Sequence, residues 1–400
     1  MPLYCLSKSM SRNIFIPLVI CIVLNVLIYG NIAINHTLVP LHRLNYEKNS
    51  HHFLVDERIH GGSFNFLRAL GQFDAQWYLK IAAEGYPKNP SNISMVDKTV
   101  IDGLSYAFFP LYPLILSLGN TLIGNIELTA FIVANITMGA IFFSLYYIMS
   151  RIFTPTLALK TIFLILLFPF SIFFRSYFSE GIFLFLLVWY SYFVIKKQWE
   201  VAALTSSLLY ITRPTGLFLI PLTLVLLANE IQHSRLRLTP AAIYMLISFL
   251  PFGGWMIFNY LMTGDPTYWM SVQQSWFITH SVFDTIRYNL TIMANFFQLP
   301  VHDFHLSRID TAIFIYAGLL VYSSRKFLKR EFWWMSFILW LFPLLTHDTI
   351  SYSRYQSVNF PLFIYLAHQL KGAWYILVSV TLYAFLLLTS LFFVNWHWVG

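Results

Sequence analysis

Residues 73–86 read FDAQWYLKIAAEGY, and the setting of this stretch decides the fold. One apolar segment, residues 14–35, precedes it, and a polar loop over residues 36–105 carries it. Nearly everything afterwards is hydrophobic. Of the 400 residues 58% are hydrophobic, 19% aromatic and only 10% charged, whereas a soluble domain carries about a quarter charged residues. Several runs exceed the roughly 18 apolar residues that cross a bilayer. The expected class is therefore all-α: a polytopic transmembrane helix bundle with a long outer loop after its first helix. The net charge of +8 reads as lysine and arginine placed at cytoplasmic helix ends, not as a nucleic-acid surface. Cys5 and Cys21 lie together near the start, apart from the motifs, and imply neither a metal site nor a disulfide framework.

The first segment follows Lys8 and Arg12. It is longer than a signal-peptide core and lacks a small-residue cleavage site, so it reads as a retained helix with its start inside. Later apolar stretches fall at 127–150, 157–174, 178–195, 201–229, 238–260, 309–322, 332–346, 355–370 and 373–394. Basic residues mark one set of connections: Arg151 and Lys160, Lys196 and Lys197, Arg235 and Arg237, the cluster Arg325, Lys326, Lys329 and Arg330, and Lys371. The positive-inside rule assigns these to the cytoplasm. The remaining connections, 175–177, 212–215, 261–308 and 346–354, then lie outside with the 36–105 loop. This alternation requires the 201–229 stretch to turn at Thr212-Arg213-Pro214 and return. It also requires segment 106–123, with Pro110 and Pro113 near its start, to be a short re-entrant or interfacial helix. About nine full spans and a few partial ones follow, within one membrane domain over 1–400. The final NWHWVG, with Trp396 and Trp398, reads as an interfacial anchor on the outer side.

The short outer connections hold three arginines, Arg175, Arg213 and Arg354, each against the positive-inside trend. They sit in FFRSYFSE (173–180), YITRPTG (210–216) and HDTISYSRYQ (347–356). A charge near the membrane is costly and by default marks a site, and guanidinium groups bind phosphate in bidentate geometry. Arginines at helix ends facing the membrane surface suit a lipid phosphate. Asp74 is the strongest acid: a helix over 73–83 puts Asp74, Tyr78 and Ala82 on one face, and partial desolvation by Phe73, Trp77 and Tyr78 would help its carboxylate accept a proton. The plainer reading is that Asp74 only caps that helix. The aromatic and polar neighbours Trp77, Tyr78, Glu180, His347 and Tyr355 are the candidate substrate-binding residues. Glu180 could orient Arg175 or contact a sugar hydroxyl. His347 and Asp348 supply too few ligands for a metal, and no nucleotide-binding loop or zinc motif is present. Sequons at Asn35, Asn92, Asn135 and Asn289 carry little weight, since Asn135 falls inside an apolar stretch.

The series FDAQWYLKIAAEGY, AFFPLYPLIL (107–116), FFRSYFSEGIFLFL (173–186), ITRPTGLFLIPL (211–222) and SYSRYQSVNFPLF (351–363) resembles the PIG-V-type mannosyltransferases of the GT-C superfamily of polytopic glycosyltransferases. It covers about residues 70–365, most of the chain. The resemblance implies an essential acidic residue on the first outer loop, which falls on Asp74. It implies a polyprenyl- or dolichyl-phosphate sugar donor, typically mannose, and a glycan or glycolipid acceptor on the periplasmic or lumenal face. It implies inverting displacement with Asp74 as base, with Arg354, then Arg213, then Arg175 as phosphate ligands, and no required cofactor. Two departures are Phe73, where the family pattern has tryptophan, and the compactness of the chain. The alternatives are a transporter or flippase for a lipid-linked sugar, which the broken 201–229 stretch would suit, and a non-catalytic assembly partner.

Overall fold

The computed structural model describes residues 3–50, 53–90, 98–233, 235–273, 281–300, 308–346 and 351–400. These form helices α1 (Leu3–Asn35), α2 (Ala75–Glu84), α3 (Leu111–Ile123), α4 (Ile126–Ile152), α5 (Pro155–Leu167), α6 (Glu180–Ile195), α7 (Trp199–Tyr210), α8 (Ile220–Gln232), α9 (Leu238–Thr263), α10 (Val282–Ala294), α11 (Arg308–Ser324), α12 (Arg330–Thr346), α13 (Tyr352–Gln356), α14 (Phe360–Gln369) and α15 (Gly372–Phe393), with further short helical segments in the connections between them. No strand occurs among the described residues.

Local chemistry sets the boundaries. Asn125 caps α4 by accepting from the Leu128 N–H, Glu127 sits in its first turn and Arg151 in its last, all matched to the helix dipole. Thr154 caps α5 ahead of Pro155 at its first position. Pro169 then forces a bend of 79° between α5 and the short helical turns of 169–175. Gly124 and Gly264 close α3 and α9 in the left-handed region, at φ +72° and +82°.

Among the described residues, five helical segments are long and apolar enough to cross a bilayer: Phe15–Leu38, Ile126–Ile152, Pro214–Gln232, Leu238–Thr263 and Gly372–Phe393, with a sixth if the bent pair over 155–175 counts as one. That makes the chain a membrane protein of helical type. The sequence count of about nine spans is finer than this. Helix α6 has 16 residues, about 24 Å at 1.5 Å per residue, and α11 and α12 have 17 each, against a hydrocarbon core of about 30 Å. The stretch 106–123 begins as a 3-10 turn ending at Ala107, and only α3, 13 residues long, is α-helical. The 201–229 stretch breaks where expected: Arg213 is extended, at φ −157° and ψ +152°, as the residue before a proline prefers.

Two cores follow. One fills the interior between α4, α5, α6, α7, α8, α12 and α14, with Phe142, Leu187 and Phe360 fully buried. The other joins the 36–105 segment to the bundle: Leu54, Leu70, Phe73 and Trp77 pack with Phe173, Phe178, Trp396 and Trp398. The first long loop is thus a folded layer built into the domain. Trp396 and Trp398, read from sequence as an exposed interfacial anchor, are instead buried, at 1% and 6% exposure. Both rings pack on Phe73, and Trp396 also meets Tyr46.

Candidate functional site

Asp74 directly precedes α2. It stands at the N-cap position, yet its side chain makes no capping bond. Its carboxylate turns away and accepts from Arg354, Nη1 to Oδ2 at 2.7 Å. The capping explanation for this acid therefore does not hold. Phe73 just before it has φ +55°, a left-handed conformation rare for an aromatic residue, held because the ring packs on Phe393, Trp396 and Trp398 at 6.0, 5.1 and 5.0 Å between centroids.

Arg354 lies in α13, a single turn pinned on several sides. Asp310, in the first turn of α11, accepts from the backbone N–H of Ser353 at 2.7 Å and also from its hydroxyl. The Tyr352 hydroxyl donates to the Trp340 carbonyl at 2.7 Å. Ser351, which leads into the turn, has φ +59°. Sequence reasoning passed over Asp310, though a buried carboxyl inside an apolar stretch is itself a signal.

Glu180 opens α6, where the positive end of the helix dipole favours a carboxylate. Oε1 pairs with both Arg354 Nε and Arg213 Nη1. The result is a chain of alternating charge, Asp74–Arg354–Glu180–Arg213, neutral in sum. Side-chain exposures are 30% for Asp74 but only 5%, 1% and 9% for the other three. Burial disfavours a charge on Arg354, but the Glu180 and Asp74 carboxylates more than offset this and hold its pKa above the usual value. Glu180 Oε2 is buried and takes no hydrogen bond.

The structure thus brings together Asp74, Arg213, Arg354 and Glu180 from four distant segments. Tyr78 stands beside them, one turn along α2. Its hydroxyl shares a 2.8 Å hydrogen bond with Ser179, next to Glu180. Burial pushes this phenol up to about 12, so at neutral pH it is a neutral hydroxyl and not a base. Tyr355 places its ring under the Arg213 guanidinium, 5.5 Å away. Between Glu180, Arg213, Arg354 and Tyr355 and the apolar side chains of Phe218, Leu339 and Phe342 lies a space of about 10 Å³, on the order of one water and less than a phosphate needs.

Other expectations are placed elsewhere. Arg175 is fully buried and does not join the cluster. Its guanidinium donates to Asn25 Oδ1 at 2.9 Å, to Ser171 Oγ at 2.7 Å, and to the carbonyls of Ser171 and Leu166. Asn25 in turn donates to Asn135 Oδ1, so Arg175 ties α1 to α4 and to the bend at Pro169. Glu180 accordingly orients Arg354 and Arg213, not Arg175. Trp77 is 1% exposed and stacks on Phe108 at 5.8 Å, which is helix packing; it offers no surface to a substrate. His347 and Asp348 lie outside the described residues. Among the described residues no group of three His, Cys, Asp or Glu side chains is disposed to hold a metal ion.

No family model matches the chain, and no curated protein matches it. The reading of the site rests on its own geometry and on the sequence motifs.

Proposed function

We propose that this protein is an integral-membrane glycosyltransferase. It moves a sugar, mannose in the first instance, from a polyprenyl- or dolichyl-phosphate donor to a glycan or glycolipid acceptor at the outer or lumenal face. The observation that carries the reading is the Asp74–Arg354 ion pair: a partly exposed carboxylate beside an arginine that is itself anchored through Glu180 to a second arginine.

The chemistry is one inverting displacement. The acceptor hydroxyl gives its proton to Asp74, and its oxygen bonds to the anomeric carbon. The bond from that carbon to the phosphate oxygen breaks, and the electron pair leaves on polyprenyl phosphate. Charge grows on the departing phosphate, where preorganised guanidinium groups stabilise the transition state more than the ground state. Arg354 and Arg213 fill this role; Arg175, spent on packing, does not. Glu180 fixes the fork of both arginines, and its unpartnered Oε2 suits a substrate hydroxyl as an acceptor.

The arrangement described is a self-neutralised one. Asp74 occupies the arginine that a donor phosphate needs. Donor binding therefore displaces Asp74 from Arg354, freeing the base as the phosphate arrives.

The test is transfer of labelled sugar from polyprenyl-phosphate-mannose to membrane lipid and glycan extracts in detergent, wild type against Asp74→Asn. Incorporation by wild type alone is expected. Normal turnover by Asp74→Asn would remove Asp74 as base. Movement of the lipid-linked sugar across vesicles without product would favour the flippase alternative.

A further inference from the structure

Trp398 touches Arg354 and Phe73, the residue next to Asp74. Its ring meets Phe73, the neighbour of Asp74, at 5.0 Å in edge-on geometry. Its other neighbours are Phe173 at 5.9 Å and the guanidinium carbon of Arg354 at 5.7 Å. Phe178 and Phe173 approach the same guanidinium, at 4.6 and 4.9 Å. Three rings thus surround the cation that pairs with Asp74. A guanidinium so enclosed keeps its charge and loses orientational freedom, since ring faces attract cations and exclude water.

The segment that carries Trp398 is fastened at every step before it. Arg58 donates to the Val394 carbonyl at 2.7 Å and to Asn395 Oδ1 at 2.6 Å. Gln72, two residues before Asp74, donates to the Val394 carbonyl at 2.9 Å and accepts from the Trp396 N–H at 3.1 Å. The Trp396 indole donates to Asp56 Oδ2 at 3.0 Å. Trp396 itself is left-handed, at φ +64°, which turns the chain so that residue 398 reaches the arginine. Such strain persists where surrounding contacts over-determine it, often beside functional groups. A membrane anchor would need none of this and would leave the indoles exposed.

We propose that Trp398 is a positioning residue for the reaction. It seats against Phe73 and Arg354 together and so fixes the distance and angle between base and phosphate ligand. This rests on the reading of the Asp74–Arg354 pair given above. It adds a segment remote in sequence from every motif that the resemblance to known glycosyltransferases rests on.

The experiment uses full-length protein in detergent and three variants: Trp398→Ala, Trp398→Phe and, as control, Trp374→Ala, a ring 69% exposed on α15. Two readouts are taken per folded molecule: affinity for polyprenyl phosphate, and kcat and KM for transfer. Trp398→Ala is expected to lose about tenfold in phosphate affinity and in kcat, the scale of one desolvated cation–ring contact, with acceptor KM unchanged. Trp398→Phe, which restores a ring over the guanidinium, should recover most of both, and Trp374→Ala should match wild type. Undiminished affinity and kcat in the folded Trp398→Ala protein would overturn the positioning role while leaving the transferase reading intact. Failure of wild type to bind polyprenyl phosphate would overturn both. A Trp398→Ala protein that cannot be folded makes Trp398→Phe decisive: full stability with lost affinity would overturn the cage, because the ring face would then be insufficient.

Discussion

In the proposed reaction, the base Asp74 and the donor phosphate compete for one guanidinium. Replacing the acid by its amide removes the ion pair and the repulsion at once. Asp74→Asn is therefore expected to abolish transfer yet bind polyprenyl phosphate more tightly, by roughly fivefold, since a partly exposed pair contributes about 1 kcal/mol. Equilibrium binding in detergent checks this, and unchanged or weaker binding would argue against competition. Arg175 gives the contrasting case. Its charge is caged by neutral oxygens from three segments, so Arg175→Ala should destabilise the fold by about 2–4 kcal/mol through the orphaned partners. In thermal unfolding the melting point should fall, while phosphate affinity of the surviving folded protein stays put. From sequence, Asp74, Arg213 and Arg354 were legible because each is a charge set against its surroundings. Arg175 carried the same signal, and only its partners separate it: Arg213 and Arg354 reach Glu180, whereas Arg175 reaches Asn25 and oxygens of Ser171 and Leu166.

At the scale of elements, the site hangs on short turns. Helix α13 has five residues, too few to be stable alone, and Asp310 secures it through Ser353. Asp310→Asn keeps the shape but weakens both bonds. Activity should drop about tenfold, because positioning errors well under an ångström are costly in catalysis, with little change in global stability. A pH–activity profile of unchanged shape would accompany that loss, because Asp310 does not meet the substrate; normal activity would show that α13 holds itself. The turn at Thr212-Arg213-Pro214 could be read ahead of the structure from its proline. The fate of Trp396 and Trp398 could not. Aromatic residues at the end of an apolar helix look the same whether they meet lipid headgroups or a distant layer of the same chain, and long-range packing leaves no local trace.

For the whole molecule, five described segments are long and apolar enough to span a membrane, whereas α6, α11 and α12 are shorter than a bilayer core. Helices α6 and α7 are joined by a turn of three residues, 196–198, with Lys196 and Lys197 at that end. The other end of α6 begins with Glu180, and the last residue of α7, Tyr210, leads into Arg213. The lysine end and the carboxylate end of this hairpin are thus separated by about 24 Å, the length of 16 helical residues. A bilayer core of about 30 Å is thicker than that. With the lysines at one interface, the carboxylate and its arginines sit some 6 Å beneath the other, or the lipid thins to meet them. A phospholipid of ordinary thickness then resists bringing its headgroup to the site, and a shorter-chain lipid does not. Reconstituted into bilayers of decreasing acyl length, the protein should gain the proposed transfer activity until the leaflets match the hairpin and lose it beyond. The length of one short helix would in that way set the membrane in which the protein works best.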